Sequence, residues 1–272
     1  MILANASPFG LTLSIAAAAG YALSAMGAAR LGTARLGSAQ ALMAVRMAWL
    51  LHAMILAWSL FGPEPRFGFA PALSMTAWLV AGVYAVESHL YPLLKTQWTL
   101  SALGSVAVLM AALLPGHVLN VNASPWLPLH WALGIASYGL IGVAVVHAWL
   151  MARTEEHIRQ ASDSHSGMPL LMMERLTFRF VGAGFILLTA TLLIGFLFEK
   201  QLYGPNTQLK WDHKTAFSVL SWLVFATLLV GRTQFGWRGK RALRVLYVGS
   251  LLLLLAYVGS RFVMEVVLGR TS

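Results

Sequence analysis

Eight long apolar stretches, separated only by short polar joints, constrain what this chain can fold into. Hydrophobic residues fill 58% of its 272 positions and charged residues 10%, against about 25% charged residues in soluble domains. Such a chain cannot cover itself with a water-compatible surface, so its solvent is lipid. Because backbone polar groups must be satisfied inside a bilayer, only helices or a closed β-barrel can span it.

The stretches are continuous and rich in Leu and Ala, and about 20 apolar residues cross the hydrocarbon core as a helix. A β-barrel would instead show segments of about ten residues with alternating hydrophobicity. The pattern predicts an all-α, polytopic transmembrane helix bundle that forms a single domain over residues 1–272. We expect eight spans: Phe9–Ala28, Ala41–Phe61, Ala70–Ser88, Trp98–Leu114, His130–Met151, Phe180–Phe198, Thr215–Gly231 and Val245–Leu268.

The net charge of +10 predicts topology rather than a nucleic-acid partner. A phosphate-binding surface would gather the cations on one folded face, whereas here most of them lie in alternate joints. The positive-inside rule then makes those joints cytoplasmic and places both termini outside, with membrane lipid as the surrounding partner. These cations are Arg30, Arg35, Lys95, Arg153, Arg159, Arg175, Arg179, Arg232, Arg238, Lys240, Arg241 and Arg244.

Two further features concern processing and redox chemistry. No basic segment precedes the first span, and Arg30 and Arg35 follow it, which favours an uncleaved anchor over a secretory signal. The chain has no cysteine, which excludes disulfides and iron–sulfur ligation by this chain. Any thiol chemistry has to come from a partner.

The longest cytoplasmic joint, Arg153–Leu176, changes character along its length. Its first half is polar, and its second half carries Met168, Leu171, Met172 and Leu176 at helical spacing. We expect this second half to lie on the membrane surface before the sixth span begins.

Polar groups at membrane depth cost free energy, so each one is a functional candidate. His52 lies about eleven residues into the second span, roughly 17 Å from its cytoplasmic end. Two interpretations stay open for it. One is a neutral imidazole hydrogen-bonded to a neighbouring helix, and the other is an axial ligand to a haem iron within the bundle.

His130 opens the fifth span at the outer boundary, beside Trp131 and shortly after Trp126. Histidine and tryptophan at this depth are typical of an interfacial aromatic belt. The alternative is a metal ligand presented to a flat aromatic cofactor, with the two indoles as packing walls. The same residues therefore predict either an interface or a cofactor site.

His213 opens the seventh span after Trp211 and Asp212. It is either a helix N-terminal residue after an Asp cap or a metal ligand that the carboxylate orients. His52 lies roughly 14 Å below His130 and His213, whereas the ligand nitrogens on one iron are about 4 Å apart. His130 and His213 are therefore compatible with one iron, and His52 is not compatible with sharing it.

Arg261 lies near the outer end of the last span, and Glu265 follows one helical turn later. It forms either an intrahelical ion pair and snorkels, or, with Lys210 or Lys214, it holds an anionic group such as a porphyrin propionate. We find no paired carboxylates within the spans, no Walker loop and no GxSxG elbow. The sequence thus offers no catalytic residues and favours a binding or assembly protein over an enzyme.

Two segments, HWALGIASY (His130–Tyr138) and WDHKTAFSVLSWLVFATLLVGR (Trp211–Arg232), resemble the cytochrome c assembly superfamily, membrane proteins that handle haem. Within it, the chain is similar to the short, CcsA-like YpjD type of bacterial inner-membrane protein. That closer similarity is carried by MPLLMMERL (Met168–Leu176), FGWRGKR (Phe235–Arg241) and AYVGSRF (Ala256–Phe262).

This resemblance implies a haem-binding protein of cytochrome c assembly or haem trafficking in the inner membrane, with other cytochrome c maturation proteins as partners. By position, His130 resembles the relatives' first outer haem ligand and His52 their first intramembrane ligand. The sequence departs from the family at Gly231, where a second membrane histidine is expected. Nothing after Gly249 supplies the second outer histidine, and the tryptophan-rich loop is reduced to Trp211–Asp212.

Two other classes of function stay open. One is a cofactor-free scaffold or accessory protein that binds another membrane protein. The other is a transporter for a small solute, which the lack of helices interrupted by proline at mid-membrane makes less favoured.

Overall fold

The computed structural model describes residues 8–30, 38–62, 64–90, 97–118, 126–159, 170–198 and 213–263, and nearly all of them are helical. The helices are α1 (Pro8–Arg30), α2 (Ser38–Phe61), α3 (Phe69–Leu90), α4 (Gln97–Leu113), α5 (Trp126–Arg159), α6 (Leu170–Leu197), α7 (His213–Phe235), α8 (Gly239–Leu254) and the short α9 (Ser260–Phe262). A π-helical segment, Leu255–Gly259, joins α8 to α9. Two short strands, β1 (Arg66–Phe67) and β2 (His117–Val118), pair antiparallel.

The eight long helices coincide with the eight predicted spans, which confirms the all-α membrane bundle. Within the described part of the chain, six helices are long and apolar enough to cross a membrane, while α1 and α4 contain shorter apolar segments, Gly10–Met26 and Leu100–Leu113. Large apolar side chains such as Phe61, Ile186 and Leu197 face outward. Such a surface is stable in lipid, where the exposed apolar groups need no cover.

The largest difference from the predicted boundaries is at the start of the sixth span, which was expected at Phe180. Residues from Leu170 onward form a single continuous helix, α6, that runs through the sixth span to Leu197. Leu171, Met172 and Leu176 are therefore its first turns and not a separate helix on the membrane surface, while Met168 lies outside the described residues. The reason is tertiary, since Glu174 in these turns is buried and paired with Arg232 of α7.

The described helices fall into two compact units. In the first, α1 packs against α2 and α4, and α3 packs against α4 and α2. Small residues bring the first two helices together, because a Cβ on Gly20 would stand 3.0 Å from the Cβ of Ala48. Trp49 and Trp78 stack at 4.6 Å, and each indole N–H donates to the other residue's carbonyl at 3.1 Å, which joins α2 to α3.

In the second unit, α5 packs along α6 and also contacts α8, while α7 packs against α8 and α6. Hydroxyls cross between neighbours: Ser137 donates to the Gly184 carbonyl and Ser221 to the Gly249 carbonyl, each at 2.9 Å. The Tyr138 hydroxyl donates to the Leu253 carbonyl, directly before the π-helical segment, where the shifted backbone ladder frees carbonyls. The organisation of residues 1–272 as a single domain stays a prediction.

Candidate functional site

His130 lies in the second turn of α5, and its ring packs against α6. The imidazole makes a hydrogen bond to the backbone of Thr191, whose carbonyl is the acceptor. Its Cε1 atom is 3.3 Å from the position that a Cβ on Gly195 would take. Because Gly195 has no side chain, the ring lies close enough to the surface of α6 to reach this carbonyl.

The other nitrogen of the ring is unused. The Nδ1 atom of His130 is buried and has no hydrogen-bond partner. When one imidazole nitrogen donates to a carbonyl, the second carries a free lone pair. Histidines that ligate metals commonly have this arrangement, because the backbone bond sets the tautomer and orients the ring. His130 therefore has an oriented ring and a nitrogen lone pair that could bind a metal.

The two predicted aromatic walls lie on either side of His130 along α5. Trp126 is 37% exposed and stacks on Phe198 with ring centroids 4.1 Å apart and planes at 13°. Trp131 is half-buried. The Trp126–Phe198 stack ties the first turn of α5 to the residue that follows α6, so the helix end that carries His130 is held in place.

His213 is the first residue of α7, and its side chain is exposed. No hydrogen bond or ring contact joins it to His130 among the contacts of the described residues, so their predicted pairing on one iron stays a prediction. Trp211 and Lys210 lie outside the described residues. Arg261 belongs to α9 by its backbone, but its side chain is also outside the described part.

His52 lies in the first unit and is fully buried. Its Nε2 atom is 2.8 Å from the Ser74 hydroxyl, and its Nδ1 atom is 3.4 Å from the Tyr21 hydroxyl. The Tyr21 and His52 rings meet edge-on at 5.9 Å and 86°. Both nitrogens are thus engaged between α1, α2 and α3, as expected for a neutral imidazole that joins helices. Ligation of haem by His52 would have to break one of these bonds, and it stays a prediction.

The donor set at His130 is compatible with haem. Within the described ranges, no group of three or more His, Asp or Glu side chains is close enough to hold a metal ion. Haem iron needs only one or two axial ligands, because the porphyrin supplies the rest. A single oriented imidazole such as His130 therefore fits haem.

Comparison with known proteins decides the family. Residues 39–268 match the family described as cytochrome c assembly protein. The chain belongs to this family. The resemblance that the sequence predicted is confirmed, and the chain is a multi-pass protein of the bacterial inner membrane.

Three relatives show the range of the family. Inner membrane protein YpjD of Escherichia coli K12 is 27% identical over 169 residues, which cover 61% of this chain and 63% of the relative. A 28.8 kDa protein of Azospirillum brasilense is 31% identical over 227 residues, 78% of this chain and 82% of the relative. Cytochrome c biogenesis protein CcsA of a Prochlorococcus marinus strain is 29% identical over 182 residues, 65% and 54% of the two chains.

The match spans less than two thirds of the length of the Escherichia coli and Prochlorococcus relatives. No solved structure matches the chain significantly.

This cytochrome c assembly protein has Gly231 where a histidine is expected, and the indole of Trp237 occupies the space that a side chain there would need. A Cβ on Gly231 would overlap the indole ring of Trp237, and the Trp237 backbone N–H donates to the Gly231 carbonyl at 3.0 Å. Gly236 and Gly239 adopt φ angles of 63° and 57°, which allow the tight turn that folds Trp237 back. Glycines on both sides of a tryptophan in FGWRGKR were the signal for this turn.

Sequence reasoning also missed an ion pair. Arg232 of α7 donates to a carboxylate oxygen of Glu174 in α6 at 2.7 Å, and its guanidinium lies 3.7 Å from the centroid of the Phe178 ring. Both charged side chains are largely buried. Arg232 thus joins α6 to α7 and is more than a topogenic charge. The acid in MPLLMMERL was the available signal, but its partner is 58 residues away.

Proposed function

We propose that this family member binds haem at the outer end of α5 through His130 and serves cytochrome c assembly or haem trafficking. The observation that carries the proposal is the Nδ1 atom of His130, which is buried and without a partner while the Thr191 backbone orients the ring. Two observations support it: the family membership, and the relatives named cytochrome c biogenesis protein CcsA.

In this proposal each residue has a defined task. His130 would hold the haem iron through its imidazole, and the Trp126 and Trp131 indoles would provide flat apolar surfaces beside it. His213, at the start of α7, is the proposed second ligand. These imidazoles would hold haem, which would supply an iron centre.

Porphyrin propionates would need cations near the outer boundary. Lys210 and Arg261 are the proposed partners, with Trp211 as a further aromatic wall. The orientation that places this end outside follows from the positive-inside rule. Because the chain has no cysteine, thiol chemistry is left to other cytochrome c maturation proteins, which we propose as its partners in the membrane.

Absorption spectroscopy of the detergent-purified protein, titrated with haem, tests the proposal. Wild type should develop a Soret band, and His130→Ala should lose it. His157→Ala is a matched control, because it removes an imidazole from the same helix about 27 residues and roughly 40 Å away. His213→Ala should change the band position or weaken binding, since it removes the proposed second ligand.

Wild type that stays colourless after haem titration, or His130→Ala with an unchanged spectrum, contradicts the proposal. A second candidate, a cofactor-free scaffold in the same assembly pathway, is favoured by the Trp237 ring that fills the space at Gly231. It predicts that a defined membrane partner co-purifies with a protein that has no absorbing cofactor.

A further inference from the structure

The turn between α7 and α8 concentrates positive charge. Residues 232–244, RTQFGWRGKRALR, contain five cations and no acid. Arg232 is neutralised by Glu174 at 2.7 Å. Among the described residues, the remaining four have no carboxylate partner: Arg238, Lys240, Arg241 and Arg244.

Three of these cations, Arg238, Lys240 and Arg241, lie at the N-terminus of α8, where a helix tolerates positive charge least. Arg238 is the N-cap of α8 and makes no side-chain capping bond, and the first turn holds no acidic residue. The N-terminus of a helix carries a partial positive charge, so cations there are repelled by the helix and by one another. Since all four side chains are exposed, an external anion is the direct way to relieve this repulsion.

One of the cations is already held in position. The Arg241 guanidinium lies 4.0 Å from the centroid of the Trp237 ring, and that indole is fixed against Gly231. Lys240 and Arg244 are four residues apart, and Arg241 and Arg244 three apart, so the three side chains project on one side of α8. An arginine stacked on a ring still offers the edge of its guanidinium, a planar fork that matches phosphate.

The turn also lies at the depth of lipid headgroups. The apolar segment Gly239–Gly259, which is α8 with the π-helical residues that follow it, is long enough to span the membrane and begins at Gly239. Phe235, just before it, is 73% exposed, and Trp237 is half-buried. Aromatic side chains next to cations at the end of a span are typical of the membrane–water interface. The anions abundant at that depth are lipid phosphates.

We propose that Arg241 and Arg244, with Lys240 and Arg238, form a binding site for the phosphate of an anionic phospholipid headgroup. The Trp237 ring orders the first of these arginines, and its exposed neighbour Phe235 faces the acyl region. The cations then have two roles, since the charges that set topology also hold a lipid against the α7–α8 turn.

The test measures stabilisation by lipid in mixed micelles. Purified protein in detergent with phosphatidylcholine is titrated with phosphatidylglycerol, and the rise in the unfolding midpoint gives an apparent affinity. Arg241→Gln/Arg244→Gln should bind roughly thirty-fold more weakly, because each substitution removes a direct guanidinium–phosphate hydrogen bond. Arg175→Gln/Arg179→Gln is the matched control, because it removes two exposed arginines of α6 and should stay within about threefold of wild type.

Three results overturn the proposal. The first is an equal loss of lipid affinity in both double variants, which indicates non-specific attraction. The second is equal stabilisation of the protein by phosphatidylglycerol and phosphatidylcholine. The third is equal stabilisation by inorganic phosphate, which indicates a site for a free anion. If the Arg241→Gln/Arg244→Gln variant fails to insert into the membrane, the Arg241→Lys/Arg244→Lys variant is used in its place, because it keeps both positive charges. That variant must bind more weakly than wild type, since lysine lacks the stacked planar fork.

Discussion

Replacing Ser74 by alanine tests whether His52 is a structural imidazole. The Ser74 hydroxyl is 2.8 Å from Nε2 of His52, and both side chains are inaccessible to water. Removing the hydroxyl leaves a buried imidazole nitrogen without a partner, and this costs about 1–3 kcal/mol of unfolding free energy. We place the effect in the upper half of that range, because water cannot replace the lost bond and the Tyr21 contact, at 3.4 Å, is already long.

The measurement is the unfolding free energy in detergent, from denaturant titration of wild type and variants. Ser59→Ala in α2 is the matched control, because it is the same chemical change at another serine. The Ser59 side chain is half-buried, and its hydroxyl donates to the Leu56 carbonyl of its own helix at 3.0 Å. We expect less than about 0.5 kcal/mol there. In a protein that already carries His52→Leu, Ser74→Ala should lower the unfolding free energy by at least about 1 kcal/mol less than it does in wild type, because the two side chains are coupled.

Two outcomes would refute this reasoning. Equal stability of Ser74→Ala and Ser59→Ala would mean that the bond to His52 does not form in the native protein. A Soret band that strengthens in Ser74→Ala would mean that the freed nitrogen ligates iron, which is the alternative interpretation of His52.

Two glycine substitutions test the packing around the candidate site and the α7–α8 turn. Gly195→Ala places a methyl 3.3 Å from Cε1 of His130, so the ring has to shift. The displaced ring should cancel the gain of about 1 kcal/mol in unfolding free energy that alanine brings through helix propensity, as measured by denaturant unfolding. It should also lower the affinity for haem, as measured by Soret titration. Gly231→Ala places a methyl where it overlaps the indole of Trp237 and should cost about 1–3 kcal/mol through overpacking, measured by the same unfolding titration. Gly182→Ala is the control for both, because its methyl meets nothing within 4 Å.

Each substitution has an outcome that contradicts its premise. If Gly195→Ala gains as much stability as Gly182→Ala and binds haem as wild type does, the His130 ring does not pack on α6. If Gly231→Ala is as stable as Gly182→Ala, the indole of Trp237 does not occupy that space.

Hydropathy was sufficient to predict the helical membrane fold, whereas the orientation of the termini, which was inferred from charge placement, stays a prediction. Each span satisfies its own backbone hydrogen bonds, so its existence depends on local composition. The predicted start of the fifth span at His130 and the observed start of α5 at Trp126 differ by one turn. The error was larger in α6, whose first turns were predicted to lie on the membrane surface, because Arg232, the partner of the buried Glu174, is distant in sequence.

The candidate site was predicted by residue type and depth, and only the tertiary structure decided how each histidine is used. His130 and His52 are both histidines in apolar helices, and for each the sequence left a structural and a ligand interpretation open: an interfacial aromatic belt or a cofactor ligand for His130, and an interhelical hydrogen bond or a haem ligand for His52. Their difference comes from other helices: Gly195 and Thr191 leave one nitrogen of His130 unused, whereas Ser74 and Tyr21 engage both nitrogens of His52.

The sequence by itself therefore determined that this is a polytopic helical membrane protein of the cytochrome c assembly family. The membrane fold follows from the sequence because burial in lipid and backbone satisfaction are properties of each stretch alone, whereas the family follows from the resemblance of its motifs, which the match over residues 39–268 confirms. The tertiary structure decided which polar groups keep a free nitrogen or oxygen, as at His130. It also decided which spaces are filled, as beside Gly231, where the indole of Trp237 lies. That choice depends on how helices rotate and which distant side chains face them, and no local pattern encodes it.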